Sequence, residues 1–365
     1  MKILYLTNDI SVLGGIEKVL QIKVNYFSNK YNYKIKIISQ RNKYKENFFN
    51  IDKNVETQCL GIKIVNNFII RHIQKIKYFF YLKKILQEKE FDIIITTGTI
   101  LDSFLIFLKK YILIKEFHVS KNNTLNSNKK NFFKQKIENF YLSKYTKIII
   151  LTDEDKINWK LSNVEVIHNP LIFYSKKFSK CENKKLISVG RLVKQKGYDI
   201  LIDVWNIISK KYPDWILEIY GEGSERENLQ NKINKLGLEK SFLLKGIEKN
   251  IRDKYVESSI YVMSSRHEGM PMVLLEAMAC GLSVVSFDCS CGPKDIIKDN
   301  EDGFLVKFGD IEQMAEKIEE LIVNESKRKL FGKNARINVQ RFSQDKIMNQ
   351  WKKLFEDLMV EKSVK

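Results

Sequence analysis

Ser264-Ser265-Arg266-His267-Glu268-Gly269-Met270-Pro271-Met272-Val273-Leu274-Leu275-Glu276-Ala277-Met278-Ala279-Cys280-Gly281 is the stretch on which the fold turns. It begins where a short apolar run, Ile260–Met263, ends, and it leads into an apolar run of helical length. Pro271 suits the first helical position, where its missing N–H costs nothing, and Gly281 suits the helix end. The pattern is strand, turn, helix. It puts a helix N-terminus at the carboxyl end of a strand, where open α/β sheets bind ligands. Free N–H groups of residues 270–274 are expected to face an anion there.

The same alternation continues on both sides. Upstream in this half the strand candidates are Lys185–Val189, Ile216–Tyr220 and Phe242–Lys245; downstream they are Ser283–Ser286 and Phe304–Val306. Helical stretches fall near 198–210, 225–236, 272–280, 311–323 and 327–340. An earlier run of alternation offers strands at Ile3–Thr7, Lys34–Ser39, Val55–Leu60, Asp92–Thr97, Ile112–His118, Lys147–Leu151 and Val164–His168. Helices are expected there near 16–29, 71–89, 131–144 and 153–160. Ile93-Ile94-Ile95 has no polar face, as expected for a strand covered on both sides of a parallel sheet. Two runs of alternating strand and helix argue for two doubly wound α/β domains. Asn169-Pro170 breaks the pattern between them. The expected division is 170–342 for one domain and 1–169 for the other, with the amphipathic stretch Ser343–Val360, carrying Trp351, Leu354 and Leu358, crossing back so that 343–365 covers the first domain.

Bulk properties narrow the function. At 365 residues and 44% hydrophobic, the chain has material for two cores. Cys59, Cys181, Cys280, Cys289 and Cys291 are odd in number and scattered, which argues against a disulfide framework. Cys289 and Cys291 form CxC, which lacks the spacing and second pair of a zinc site. A reducing cytoplasm fits best. The opening MKILYLTNDI has an apolar run cut by Asp9, a first strand rather than a signal peptide. The formal charge of +19 is uneven: residues 1–168 hold 29 Lys and Arg against 15 acids, the remainder 34 against 29. Nucleic acid, anionic lipid and phosphorylated substrates are the partner classes this admits.

Within the opening stretch, Glu268 and Glu276 bracket the helix N-terminus. Glu276 is placed to reach a ribose diol, and Glu268 to hold sugar hydroxyls. The segment resembles the E-x7-E donor motif of retaining GT-B glycosyltransferases, in particular glycosyltransferase family 4. EGMPMVLLEAMACGLSVVS carries the likeness. The run Asp288–Ile297, followed by Asp302–Val306, is similar to members that build bacterial surface polysaccharides. The likeness covers most of residues 185–310 and the first half weakly. It implies two Rossmann-like domains facing a central cleft, the second holding the nucleotide-sugar donor and the first the acceptor.

The resemblance also assigns residues. Val189-Gly190-Arg191-Leu192-Val193-Lys194-Gln195-Lys196-Gly197 is similar to a family loop whose Arg and second Lys grip the donor diphosphate, here Arg191 and Lys196. The chemistry agrees, because the leaving nucleoside diphosphate gains negative charge as the glycosidic bond breaks; Arg supplies a bidentate clamp and Lys a point charge. Gly14-Gly15 matches a family turn after the first strand that approaches the donor phosphate or acceptor. His118 matches a histidine at the reacting centre, and Gly221-Glu222-Gly223 a turn whose backbone faces the base. The donor set is thus Gly14, Gly15, Arg191, Lys196, Gly221, Gly223, Glu268, Gly269, Met270, Pro271, Met272, Val273, Leu274 and Glu276, with His118, Arg191, Lys196 and Glu268 catalytic.

The expected activity is retaining transfer of a hexose or N-acetylhexosamine, from a donor taken to be UDP-linked, to a glycan or polyprenyl-diphosphate-linked acceptor. The pathway is assembly of capsule, O-antigen (lipopolysaccharide) or exopolysaccharide. No cofactor and no metal are expected, Arg191, Lys196 and the helix at 271 replacing a cation. Arg71, Lys75, Lys77, Lys83 and Lys84, interleaved with Ile, Phe and Tyr within Asn67–Gln87, and Lys109-Lys110 beyond them, make a basic amphipathic surface suited to anionic lipid at the inner face of the cytoplasmic membrane. Two alternatives stay open: another GT-B reaction on nucleotide sugars such as epimerisation, and a noncatalytic basic membrane- or nucleic-acid-binding protein. No nucleic-acid motif supports the last.

Overall fold

A computed structural model describes residues 1–11, 14–41, 50–62, 68–88, 90–121 and 132–364. The chain forms two compact units, Met1–Pro170 with Gln344–Lys365, and Leu171–Ser343.

The first unit is a parallel sheet of seven described strands: β1 (Lys2–Asp9), β2 (Lys34–Arg41), β3 (Glu56–Cys59), β4 (Ile93–Thr96), β5 (Ile112–Glu116), β6 (Lys147–Ile150) and β7 (Val164–Val166), in the order β3-β2-β1-β4-β5-β6-β7. Every residue of β4 and β5 is buried, which explains the unbroken Ile93-Ile94-Ile95 of β4, while β5 ends in Lys115 and Glu116, buried charges paired with Asp102 and Lys23. The helix Gly15–Tyr31 and the C-terminal helix Gln344–Ser363 pack together, Phe27 meeting Phe355 with ring centroids 5.4 Å apart. Lys30 pairs with Asp345 at 2.7 Å beside them. The return of the C-terminal helix to the first unit is therefore as the amphipathic stretch predicts.

The second unit has six strands: β8 (Lys185–Val189), β9 (Ile216–Tyr220), β10 (Phe242–Gly246), β11 (Ile260–Met263), β12 (Ser283–Asp288) and β13 (Gly303–Lys307), in the order β10-β9-β8-β11-β12-β13. All pairings between them are parallel. The helix Tyr198–Lys211 buries Leu201, Ile202, Val204, Trp205 and Ile208, spaced to form one stripe, against a core that includes Leu217, Phe242, Val285 and Phe304. From β8 the chain proceeds outward through β9 to β10, and from β11 in the opposite direction through β12 to β13. The neighbours β8 and β11 thus mark the topological switch point, where the strand order reverses, the place at which open α/β sheets bind ligands.

Some expectations shift in detail. The helix near 153–160 stops at Lys156; Thr152 caps it by accepting from the Asp155 N–H. Three short helices, Asp102–Leu105, Ile251–Val256 and Pro293–Ile296, go unread in the sequence because none is long enough to show a 3.6-residue period.

Candidate active site

The loop after β8 runs through a short 3₁₀ turn, Lys194–Lys196, into the helix at Tyr198. Gly197 joins the two with φ +65°, and a Cβ there would lie 2.0 Å from the Ser264 carbonyl. Only glycine allows the loops after β8 and β11 to come this close. They are then stitched together. The Arg266 N–H donates to the Gln195 carbonyl at 2.7 Å, Gln195 Nε2 to the His267 carbonyl at 3.0 Å, and Ser264 Oγ to the Lys196 carbonyl at 2.9 Å. Arg266 forks onto Asp199 at 2.8 and 2.7 Å. The guanidinium hydrogen bonds hold the Asp199 carboxyl below its ordinary range.

Two sequence-predicted residues meet here. Lys196 Nζ lies 2.7 Å from Glu268 Oε1, and Ser265 Oγ donates to the same oxygen at 2.6 Å. Lys196 and Glu268 are 72 positions apart, so their contact is a product of the switch point. Arg191 is exposed on the same loop, and its guanidinium has no hydrogen bond or ion pair among the described residues.

The helix after the β11 loop spans Met272–Ala279. Pro271 is its N-cap, with extended ψ of 101°, and not its first helical residue as the sequence suggests. Pro271 has no N–H to offer, and the Leu274 N–H is spent on the Pro271 carbonyl at 3.1 Å. Of residues 270–274, Met272 and Val273 are the helical amides with no backbone acceptor among the described residues. Gly269 and Met270 sit in the turn before, which the loop after β12 holds: the Glu268 N–H donates to the Ser290 carbonyl at 3.2 Å. Glu276, one turn into the helix, accepts from the Tyr255 hydroxyl at 3.3 Å.

Gly221 and Gly223 are explained by packing. A Cβ at Gly221 would lie 2.0 Å from the Gly190 carbonyl, and one at Gly223 2.3 Å from the Leu192 carbonyl. The Leu192 N–H donates to the Glu222 carbonyl at 2.9 Å, and the Gly221 N–H to the Gly246 carbonyl at 2.8 Å. The turn therefore braces the Arg191 loop.

In the first unit, Gly14 is the N-cap and Gly15 the first residue of the helix expected near 16–29. The loop residues 12 and 13 lie outside the described residues. The Glu17 carboxylate folds back over Gly14, with Oε2 2.2 Å from where a Cβ would stand. Burial raises the Glu17 carboxyl above its ordinary range, with the Asp9 charge adding to it. This helix start thus already carries an anion of its own, a feature the bare Gly-Gly pattern does not reveal. His118 follows β5, its Nε2 3.4 Å from Glu116 Oε2. Glu116 is paired at 2.6 Å with Lys23, both at most 3% exposed, and Lys23 Nζ stands 3.7 Å from the centre of the Trp351 ring. Burial alone would raise the Glu116 carboxyl; Lys23 and His118 outweigh it and hold it at about 2.

The family model described as glycosyl transferases group 1 matches residues 173–338, nearly the whole second unit. An uncharacterized glycosyltransferase of Haemophilus influenzae is 33% identical over 364 residues, spanning 96% of this chain and 99% of that one. The chain belongs to the glycosyltransferases. A second relative of this glycosyltransferase, at 27% identity over 94% of the chain and 96% of its own, is a Campylobacter jejuni alpha-1,4-N-acetyl-D-galactosaminyltransferase named for a diNAcBac-PP-undecaprenol-linked glycan. Among solved structures, a point mutant of S. aureus TarM in complex with fondaparinux, alpha-GlcNAc-glycerol and UDP matches with TM-score 0.77 and 19% identity, covering 97% of this chain and 99% of that one. Two Rossmann-like units of this kind are the GT-B fold.

Sequence reasoning about this glycosyltransferase missed Ser265, Asp199, Arg266, Tyr255, Glu116 and Lys23. Each acts through a partner that the sequence pattern does not point to, and the pairing of Lys23 with Glu116 spans 93 positions. Only Asp199, an acid in the first turn of a helix following a glycine-ended loop, leaves a local trace.

Proposed function

We propose that this chain is a retaining glycosyltransferase. It moves a hexose or N-acetylhexosamine from a UDP-linked donor to a glycan or polyprenyl-diphosphate-linked acceptor in bacterial surface polysaccharide assembly. The observation that carries the reading is the Lys196–Glu268 pair at the β8/β11 switch point, with Glu276 one turn into the adjoining helix. In this reading the second unit holds the donor. Lys196, Arg191 and the Met272 and Val273 amides receive the diphosphate, Glu268 the sugar hydroxyls and Glu276 the ribose. The leaving phosphate oxygen takes the acceptor proton as the sugar passes to the same face of the anomeric carbon. The two cationic side chains neutralise the charge that builds on the leaving group, so transfer proceeds without a metal. The first unit takes the acceptor, with His118 at the reacting centre. The alpha linkage in the Campylobacter relative's name and the UDP bound by TarM support the donor and stereochemistry.

The first unit also carries the membrane contact in this reading. Ile73, Phe80 and Phe107 are 60%, 62% and 66% exposed. Phe79 links the helix Phe68–Glu88 to Phe104 and Phe107, with ring centroids 5.6 and 6.4 Å apart. Lys77, Lys83, Lys84, Lys109 and Lys110 are exposed around them. Asn67 and the Arg71 side chain lie outside the described residues. Exposed rings set among ammonium groups suit an anionic leaflet, the location of a polyprenyl-linked acceptor. Among the described residues no helix is long and apolar enough to cross a membrane.

The test is incubation with a panel of nucleotide sugars, following nucleoside diphosphate release and the anomeric configuration of the product by NMR. Release is expected from a UDP-sugar, with retention, unaffected by EDTA, and lost in Arg191→Ala and Glu276→Ala. Unchanged release in both variants overturns the site, an inverted product overturns the stereochemistry, and loss of release in EDTA overturns metal independence.

A further inference from the structure

Tyr255 lies in the short helix Ile251–Val256 and is fully buried. Its ring packs beside Tyr261, with centroids 6.1 Å apart. Packing alone would be served as well by phenylalanine. The hydroxyl donates to Glu276 Oε2 at 3.3 Å and approaches the Val273 carbonyl at 3.5 Å. Burial, followed by the Glu276 charge, raises the Tyr255 phenol well above its ordinary range, so the oxygen stays protonated and serves as a donor. Val273 belongs to the first turn of the helix Met272–Ala279 and Glu276 to the next. One buried hydroxyl therefore touches both the carboxylate and the backbone of the turn whose amides open the helix.

We propose that Tyr255 is a positioning residue for the nucleotide: it fixes the Glu276 carboxylate in the rotamer that receives the ribose diol. This rests on the reading of Glu276 given above. A glutamate has three side-chain torsions to order, and a free one would lose that freedom at the moment of binding. Tethering one oxygen through a buried hydroxyl on a separate helix orders the carboxylate in advance. It also leaves the ribose contact sensitive to a residue that never touches ligand.

The experiment is isothermal titration of the full chain with UDP, GDP and ADP, then with the 2′,3′-dideoxy form of the tightest binder, in wild type, Tyr255→Phe, Glu276→Gln and the double variant. Wild type is expected to prefer the ribose form. Tyr255→Phe is expected to weaken the ribose nucleotide by about 3- to 10-fold, the worth of one hydrogen bond, and to leave the dideoxy form unchanged. In the Glu276→Gln background the same substitution is expected to do nothing. The ratio of ribose to dideoxy affinity is insensitive to a misfolded fraction, so an unstable variant still answers. An unchanged ratio in Tyr255→Phe, with Glu276→Gln weakened, overturns this role of Tyr255. An unaffected Glu276→Gln, or no nucleotide binding by wild type, overturns the underlying site instead.

Discussion

Replacing Lys196 by methionine removes the cation from the Lys196–Glu268 pair while keeping the length of the stem. Breaking a buried ion pair from one side costs about 3–5 kcal/mol, because the remaining charge is left without compensation. Here the Lys196 side chain is 15% exposed and Glu268 8%, and Ser265 still donates to the carboxylate. Water and the serine together bring the expected loss to about 2 kcal/mol. Hydrogen exchange of the β8 and β11 amides reports it, since both strands belong to the same unit. Adding Glu268→Gln removes the stranded charge and is expected to restore at least about 1 kcal/mol. Catalysis behaves differently. Nucleotide release is expected to fall about 100-fold in Lys196→Met, the scale for losing one preorganised group at a developing charge, and to stay low in the double variant. Wild-type exchange in the single variant, or activity recovered in the double, refutes the reasoning.

Further outcomes follow from the same geometry. Lys23→Met strands Glu116 in the core of the first unit and is expected to destabilise it by about 3–5 kcal/mol, read from hydrogen exchange of β1 and β5. Because the Glu116 carboxyl is held at about 2, below its unfolded value, its contribution is present above the ordinary carboxylate range and drains away as pH falls toward 2; acid unfolding followed by tryptophan fluorescence checks this. The Asp199 carboxyl is likewise depressed, by its hydrogen bonds to Arg266, so Asp199→Asn is expected to loosen the 194–197 loop at neutral pH, with the difference from wild type shrinking only as pH falls from the ordinary carboxylate range through the lowered Asp199 value, as hydrogen exchange of that loop reads. Gly197→Ala meets both a positive φ and the Ser264 carbonyl, and is expected to cost more than about 1 kcal/mol and to abolish nucleotide release. Phe80→Ser with Phe107→Ser is expected to release the protein from vesicles containing anionic phosphatidylglycerol, measured by co-sedimentation; undiminished binding contradicts the membrane reading.

The sequence made the fold legible wherever one physical constraint dominated. Ile93-Ile94-Ile95 reads as a strand because burial on both faces favours apolar residues throughout, and the helix Tyr198–Lys211 reads as a helix because a single stripe is buried. The stretch Ser264–Gly281 declared its strand-turn-helix form, though not that Pro271 would cap the helix from outside. Glycines were harder. Gly221 and Gly223 look the same whether they admit a ligand or another backbone, and only the 2.0 and 2.3 Å approaches to Gly190 and Leu192 reveal the second role. Charged residues were hardest, because an ion pair leaves no periodicity. Lys196 and Glu268 each had a reading alone, and their contact needed the sheet order. Lys23 sits in a helix of low amphipathic contrast and gives no sign that it is buried under Trp351.

A crystal structure of the full chain with UDP shows where the nucleotide binds. The diphosphate is expected at the β8/β11 switch point, with oxygens within about 3 Å of Lys196 Nζ and of the Arg191 guanidinium, and the ribose hydroxyls on Glu276. UDP seated elsewhere, with Lys196 still closed on Glu268, would contradict it.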